Sequence, residues 1–190
     1  MKCLVCGMDI NINNFNINNV GLLEKNEREN FKYCPFCGVS SKYLRPEGEI
    51  VSDSEMYKVP AESLDDNISV ILDHAMKLEI FNSEFYKSAV KLSHNLEVKE
   101  TFEALSKIEH MHAVVHQKLG GFKALPTLVH IDYSKYKNDK SLLELAEARE
   151  IHAATFYEKN GKKINNPIIK EVFFALFQVE HDHMQIAGGY

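Results

Sequence analysis

The sequence predicts a mainly helical chain: a small four-cysteine module, then a four-helix bundle made of two antiparallel hairpins joined by one long connection. Three observations carry that prediction. From Ser63 onward the chain is amphipathic and nearly free of breakers, whereas all four cysteines fall within residues 1–44. Start and stop signals divide the later stretch into four helices. A shift of 71 residues lays its first half on its second.

The 190 residues allow one or two domains and are enough to bury a core without disulfide staples. A net charge of -5 offers no basic patch for nucleic acid and no polybasic run for a membrane surface. The opening Met1-Lys2-Cys3-Leu4-Val5-Cys6 lacks the apolar stretch of a signal peptide. No apolar run approaches the ~20 residues of a spanning helix. The expected location is the cytoplasm, where cysteines point to metal or redox chemistry before disulfides.

The expected organisation is a cysteine module over 1–44, a polar linker over 45–62 and the bundle over 63–190. Asp9 to Asn19 is rich in Asn and Ile and lacks helical periodicity. The first helix is expected from about Ser63 to about Ser93, and the second from Asn95 to the stop at Gly120-Gly121. A connection of ~20 residues containing Pro126 follows, which is long for a compact domain. Ser141, with Glu144 three residues on, has the spacing of a capping box and is expected to open the third helix, which ends near Gly161. Asn166 and Pro167 read as cap and first residue of the fourth, ending at Gly188-Gly189. Short loops make each pair a hairpin. A crossover this long lets the second hairpin start at the other end of the bundle, the ferritin-like arrangement.

The repeat carries the chemistry. Ala75 falls on Ala146, Glu79 on Glu150, Phe85-Tyr86 on Phe156-Tyr157, and Asn95 on Asn166. Glu109-His110-Met111-His112 falls on Glu180-His181-Asp182-His183. Roughly one position in three is identical over 71–112, without a gap. Glu and His three apart share a helix face. Each hairpin thus supplies two carboxylates and one imidazole, and the pair supplies Glu79, Glu109, His112, Glu150, Glu180 and His183. Four carboxylates can chelate and bridge two divalent cations, and one imidazole on each suits iron, manganese or zinc. One Glu-x-x-His is commonplace on a solvated face. Two in register with two further Glu on the partner helices are not. Tyr86 and Tyr157 lie two turns beyond Glu79 and Glu150, as aromatic core or as hydroxyls bonded to those carboxylates. His110 and His181 repeat and are open to supporting roles. His74, His94, His116, His130 and His152 are expected to be structural or superficial.

Cys3-x-x-Cys6-Gly7 and Cys34-Pro35-Phe36-Cys37-Gly38 are two knuckles separated by 27 residues. Such turns aim amides at sulfur, and two of them make a tetrahedral thiolate site. Zinc there would be structural and iron a one-electron carrier. Each knuckle is local and the linker is polar, so the module is expected to hold its metal independently of the bundle. Phe15, Phe31, Tyr33 and Phe36 supply either an apolar cover or a small core.

These residues resemble the rubrerythrin group of the ferritin-like superfamily over about 63–190. The pattern is Ala75-x-x-x-Glu79 with Phe85-Tyr86, then Glu109-x-x-His112, repeated in the second hairpin. The first 40 or so residues resemble rubredoxin, above all at Cys34-Pro35-x-Cys37-Gly38, and the order matches the reverse rubrerythrins. The resemblance implies a di-iron site at Glu79, Glu109, His112, Glu150, Glu180 and His183, with Glu109 and Glu180 bridging and Glu79 and Glu150 terminal. It implies reduction of hydrogen peroxide to water, a redox donor protein, and a homodimer or larger homo-oligomer. The sequence departs from the group at Ala153, where many members carry an extra Glu. Met8-Asp9-Ile10 departs from rubredoxin, and the chain has no Trp.

Three functions compete at this point. The first is a peroxide reductase fed with electrons by a four-cysteine iron. The second is a ferroxidase or iron-handling protein, acting with oxygen or peroxide and carrying a structural zinc ribbon. The third is a zinc ribbon that binds a partner, joined to a metal-sensing bundle. The cysteine module favours the first and Ala153 the second.

Overall fold

The computed structural model describes residues 1–46, 49 and 64–190. The chain begins with β1 (Lys2–Cys3) and two single-turn 3-10 helices at Asn19–Gly21 and Ser41–Tyr43. Next comes β2 (Leu44–Arg45), antiparallel to β1. Four long helices follow: α1 (Asp66–Leu92), α2 (Leu96–Gly120), α3 (Asp139–Gly161) and α4 (Pro167–Gly188). Among the described residues the fold is mainly helical, with a small cysteine module and almost no sheet. Most of the expected 45–62 linker, and the expected helix start at Ser63, lie outside the described residues.

The helix ends follow from local chemistry. Asp65 caps α1 by accepting from the Ile68 amide at 2.8 Å, and Asn95 caps α2 through the Glu97 amide at 2.8 Å. Gly121, at φ 63°, closes α2 in the left-handed conformation that glycine tolerates. Asn166 caps α4 through the amides of Ile168 and Ile169, with Pro167 in the first turn. The capping box expected at Ser141 is corrected. Asn138 is the cap and its Oδ1 accepts from the Ser141 amide at 2.9 Å, so the helix begins at Asp139. A side-chain acceptor just outside the turn outcompetes one placed within it.

α1 packs along α2 and α3 along α4, and the 121–138 connection crosses between the hairpins. Within the first hairpin, Ser83 and Ser106 each donate to the other's carbonyl, at 2.9 and 3.1 Å. The crossover is pinned at Tyr133, whose ring meets Phe85 edge-on at 5.2 Å. Arg149 lies behind it. Its guanidinium sits 4.0 Å from the Phe81 ring centre and donates to the Phe81 carbonyl at 2.8 Å.

Two apolar clusters fill the two ends of the bundle. One is built on Phe85, Tyr86, Phe102 and Leu142. The other joins Leu72, Val115, Tyr157, Phe173 and Val179 to Cys3, Val5, Cys6, Ile10, Cys34, Cys37 and Val39 of the module. Each Val, Leu, Ile or Phe among them, once fully buried, contributes ~1.5–3 kcal/mol. The module therefore does not stand apart, as its local knuckles and polar linker suggest; it completes the core of one end of the bundle. Two glycines permit that approach. A Cβ on Gly21 would lie 2.9 Å from the Ala104 Cβ, and one on Gly38 2.8 Å from a Val179 methyl. At the rim the Tyr43 hydroxyl donates to Glu171 at 2.9 Å, and the Lys42 ammonium lies 3.1 Å from the same oxygen.

Candidate metal centre

The buried stripe of α1 runs Leu72, Ala75, Met76, Glu79, Asn82, Ser83 and Tyr86. Its helical spacing carries Glu79 inside with the apolar residues. The same periodicity buries Glu109 and His112 on α2, Glu150 on α3, and Glu180 and His183 on α4. All six are at most 1% exposed. They converge in two overlapping groups, one of Glu79, Glu109, His112 and Glu180, the other of Glu109, Glu150, Glu180 and His183. Within each group the ligand atoms lie within 4.8 Å of one another, and Glu109 and Glu180 belong to both.

The electrostatics show how unusual this interior is. Burial raises Glu79 and Glu180 well above the ordinary carboxylate range, and the charge of Glu109 pushes each further. Burial and Glu109 raise Glu150 as well. Glu109 goes the other way. Against its own burial, His183 and His112 hold it below the usual range, and His183 Nδ1 stands 2.8 Å from its Oε1. Oxygens of all four carboxylates lack a hydrogen-bond partner among the described residues. A buried acid without a partner is costly, and four around one point call for cations between them. Two divalent cations match the charge of four carboxylates, and the donor set suits iron, manganese or zinc. The residues present therefore fit a two-metal site.

The tyrosines act across the hairpins. The Tyr86 hydroxyl of α1 donates to Glu150 of α3, and the Tyr157 hydroxyl of α3 donates to Glu79 of α1. His116 is the residue beside the site that the sequence pattern did not single out. It is fully buried, and its Nε2 lies 2.7 Å from the Tyr157 hydroxyl. A signal was available, since His116 stands one turn beyond His112 on the same face. The repeat concealed it, because the matching residue is Ala187. His110 and His181 are exposed despite repeating, as are His74, His94, His130 and His152. Ala153 is buried, with no carboxylate at that position.

The cysteine module has a two-fold character of its own. The Gly7 amide donates to the Cys3 carbonyl at 3.0 Å and the Gly38 amide to the Cys34 carbonyl at 2.9 Å. Both glycines take positive φ, 76° and 72°, which explains the Gly after each knuckle. The four thiols are buried, with Cys3 and Cys37 sulfurs 3.7 Å apart and those of Cys6 and Cys34 3.6 Å apart. A tetrahedron with bonds of ~2.3 Å has edges of about 3.8 Å, so the cluster has the size of a four-thiolate metal site. Burial pushes Cys34 and Cys37 up, so a bound metal would have to displace protons from them. Asparagine side chains tie down the loop between the knuckles. Asn26 donates to the carbonyls of Phe15 and Tyr33, and Asn18 to that of Pro35. Phe15 and Phe31 stack at 5.7 Å beside it.

A four-helix bundle with a long crossover and an inner ring of carboxylates and imidazoles defines the ferritin-like class. A family model described as the ferritin-like domain matches residues 68–188, and the chain belongs to that family. No curated protein and no solved structure matched the chain. Among the described residues no helix is long and apolar enough to cross a membrane.

Proposed function

We propose that this chain is a rubrerythrin-like peroxide reductase. In this reading, iron held by Cys3, Cys6, Cys34 and Cys37 relays electrons to an iron pair held by Glu79, Glu109, His112, Glu150, Glu180 and His183. One observation carries the reading. His112 Nε2 lies 2.9 Å from the carbonyl oxygen of Cys37. The same ring turns Nδ1 toward Glu109, Glu180 and Glu79, at 3.3, 3.5 and 3.9 Å. A carbonyl oxygen only accepts, so Nε2 carries the hydrogen and donates it, which leaves the Nδ1 lone pair directed at the carboxylate cluster. A single imidazole thus bridges a residue of the thiolate module and the centre of the bundle within one chain. That contact gives the thiolate module the short path to the bundle centre that an electron relay needs.

Bound there as ferrous ions, the pair would supply two electrons that, with two protons, convert hydrogen peroxide into two molecules of water. Glu109 and Glu180, common to both groups, would be the carboxylates shared by the two cations, and Glu79 and Glu150 would each serve one. Tyr157 and Tyr86 hold the terminal carboxylates in place. The apolar clusters on either side exclude bulk water from the carboxylates, which strengthens their hold on cations. The cytoplasm, a donor protein and a homo-oligomer belong to this proposal.

Ala153 favours a second reading, a ferroxidase, because it leaves the site without the extra carboxylate of many rubrerythrins. One experiment separates the two. The iron-loaded protein is reduced without oxygen and mixed with peroxide or with oxygen, while absorbance follows both centres. Much faster oxidation of the bundle site by peroxide, sustained by a donor that reduces the thiolate iron, supports the reductase. Faster reaction with oxygen, with accumulation of mineral iron, supports the ferroxidase.

A further inference from the structure

The two halves of the bundle site match in their inner groups and differ in what holds those groups from behind. Glu79 and His112 are backed on both counts. Tyr157 donates its hydroxyl to Glu79, and His116 Nε2 approaches that hydroxyl at 2.7 Å. A phenol has one proton and Glu79 takes it, so the hydrogen between Tyr157 and His116 comes from Nε2. His116 stays neutral, because burial and then His112 lower its pKa to about 3. It serves as a fixed donor at the end of a chain His116–Tyr157–Glu79. His112 is held in turn by the Cys37 carbonyl at 2.9 Å.

Glu150 and His183 lack this outer layer. Tyr86 donates to Glu150, but the residue that repeats His116 is Ala187, which packs in the same apolar cluster as Tyr86 and offers no donor. Among the described residues, nothing else hydrogen-bonds the Tyr86 hydroxyl. His183 is buried with its Nδ1 2.8 Å from Glu109, and neither ring nitrogen makes a hydrogen bond among the described residues, so its Nε2 has no counterpart of the Cys37 carbonyl. The asymmetry is therefore double, and both differences favour the same half.

We infer that the two metal positions are unequal. The position bounded by Glu79, Glu109, His112 and Glu180 holds its cation tightly, and the one bounded by Glu109, Glu150, Glu180 and His183 exchanges its cation with solution. The inference rests on the two-metal reading of the bundle site given above. Its physical basis is that groups behind a ligand fix its tautomer and orientation and raise its basicity. Removing one such group costs ~10- to 100-fold in metal affinity. His116 is accordingly a positioning residue, acting on Glu79 through Tyr157.

The test uses the full-length protein with its bundle freed of metal and Mn(II) as the probe, since manganese favours oxygen and imidazole over thiolate. At one equivalent, paramagnetic resonance should show isolated ions, and anomalous scattering from crystals should place them at the Glu79–His112 position with ~10-fold preference or more. Coupled pairs should appear only as the second equivalent binds. His116→Leu should weaken the Glu79–His112 position alone, by ~10-fold or more, and His116→Gln, which keeps an N–H donor, should restore it. Equal occupancy of both positions at one equivalent overturns the inference and leaves the two-metal reading standing. So does equal weakening of both positions by His116→Leu. Manganese at neither position overturns the two-metal reading itself. The occupancy of the unaltered protein decides the matter even where a variant does not fold.

Discussion

Gly38 meets Val179 so closely that a Cβ on the glycine would come within 2.8 Å of a valine methyl. The contact places the second cysteine knuckle on α4, beside the His112–Cys37 hydrogen bond. Gly38 is also held at φ 72°, where a side chain costs ~1–2 kcal/mol. Gly38→Ala should therefore lower stability by about 2 kcal/mol or more, and should also lift the module from the bundle. Urea unfolding reads the first effect. Stopped-flow reduction of the bundle site by a donor reads the second, as slower transfer with the spectrum of the thiolate iron retained.

Cys34→Ser should separate the two centres chemically. The variant should lose the visible absorbance of ferric thiolate and keep the bundle metals. Reduced once by a small-molecule reductant, it should still react with a single equivalent of peroxide. Turnover with a protein donor should then fail. Sustained turnover in this variant would refute the relay.

Glu180→Gln probes the electrostatics of the metal-free bundle, and the sign of its pH dependence is set. Burial and the neighbouring carboxylates raise the folded-state pKa of Glu180 well above its ordinary value of 4.5. The folded state then binds the proton more tightly than the unfolded state does. The stability Glu180 confers is full below pH 4.5 and is lost as pH rises toward the folded pKa. Glutamine cannot ionise. In chelator-treated protein, Glu180→Gln should match the parent below pH 4.5 and exceed it increasingly as pH rises toward the folded-state pKa, as read by urea midpoints. With metal bound the order should reverse, because the variant loses a carboxylate shared by both positions. A pH-independent difference would sink the argument.

Glu109→Ala combined with Glu180→Ala should abolish metal binding in the bundle, since these residues belong to both ligand groups. Metal analysis of the purified variant checks this. Two ions per chain retained in the bundle would contradict the assignment, whereas one metal in the cysteine module should survive.

Arg149→Ala should free the crossover. The guanidinium stacks on Phe81 and Phe85 and donates to the Phe81 carbonyl. A half-buried cation–π contact with a hydrogen bond contributes about 1–3 kcal/mol. The expected result is that loss of stability together with faster proteolytic cleavage within 121–138. Arg149→Lys should recover only part of it, because an ammonium does not stack as a planar guanidinium does.

The inner ring of the site was legible in the chain because its determinants are local and repeated. Glu109 and His112 share a face through one turn of helix, and the shift of 71 residues shows the same turn again at Glu180 and His183. The caps at Asn95 and Asn166 were legible for the same reason, as was the knuckle glycine at Gly38. At the third helix the capping-box spacing at Ser141 pointed to the wrong start, because the cap is Asn138.

The sequence by itself determined the four helices, the six inward groups and the four thiols, since each depends on spacing within a few turns of chain. The tertiary structure decided everything that joins elements far apart: Tyr86 on Glu150, Tyr157 on Glu79, the His112 ring against the Cys37 carbonyl, and the module within the core of the bundle. It also decided that His116 lies inside while His110 and His181 lie outside. The physical reason is geometric. Periodicity fixes which side of a helix a residue occupies, but the way helices and loops pack fixes what that side meets. The repeat predicts two equal halves, but the Cys37 carbonyl meets His112 and not His183, and His116 stands where the other half has Ala187, so the groups behind the ligands differ.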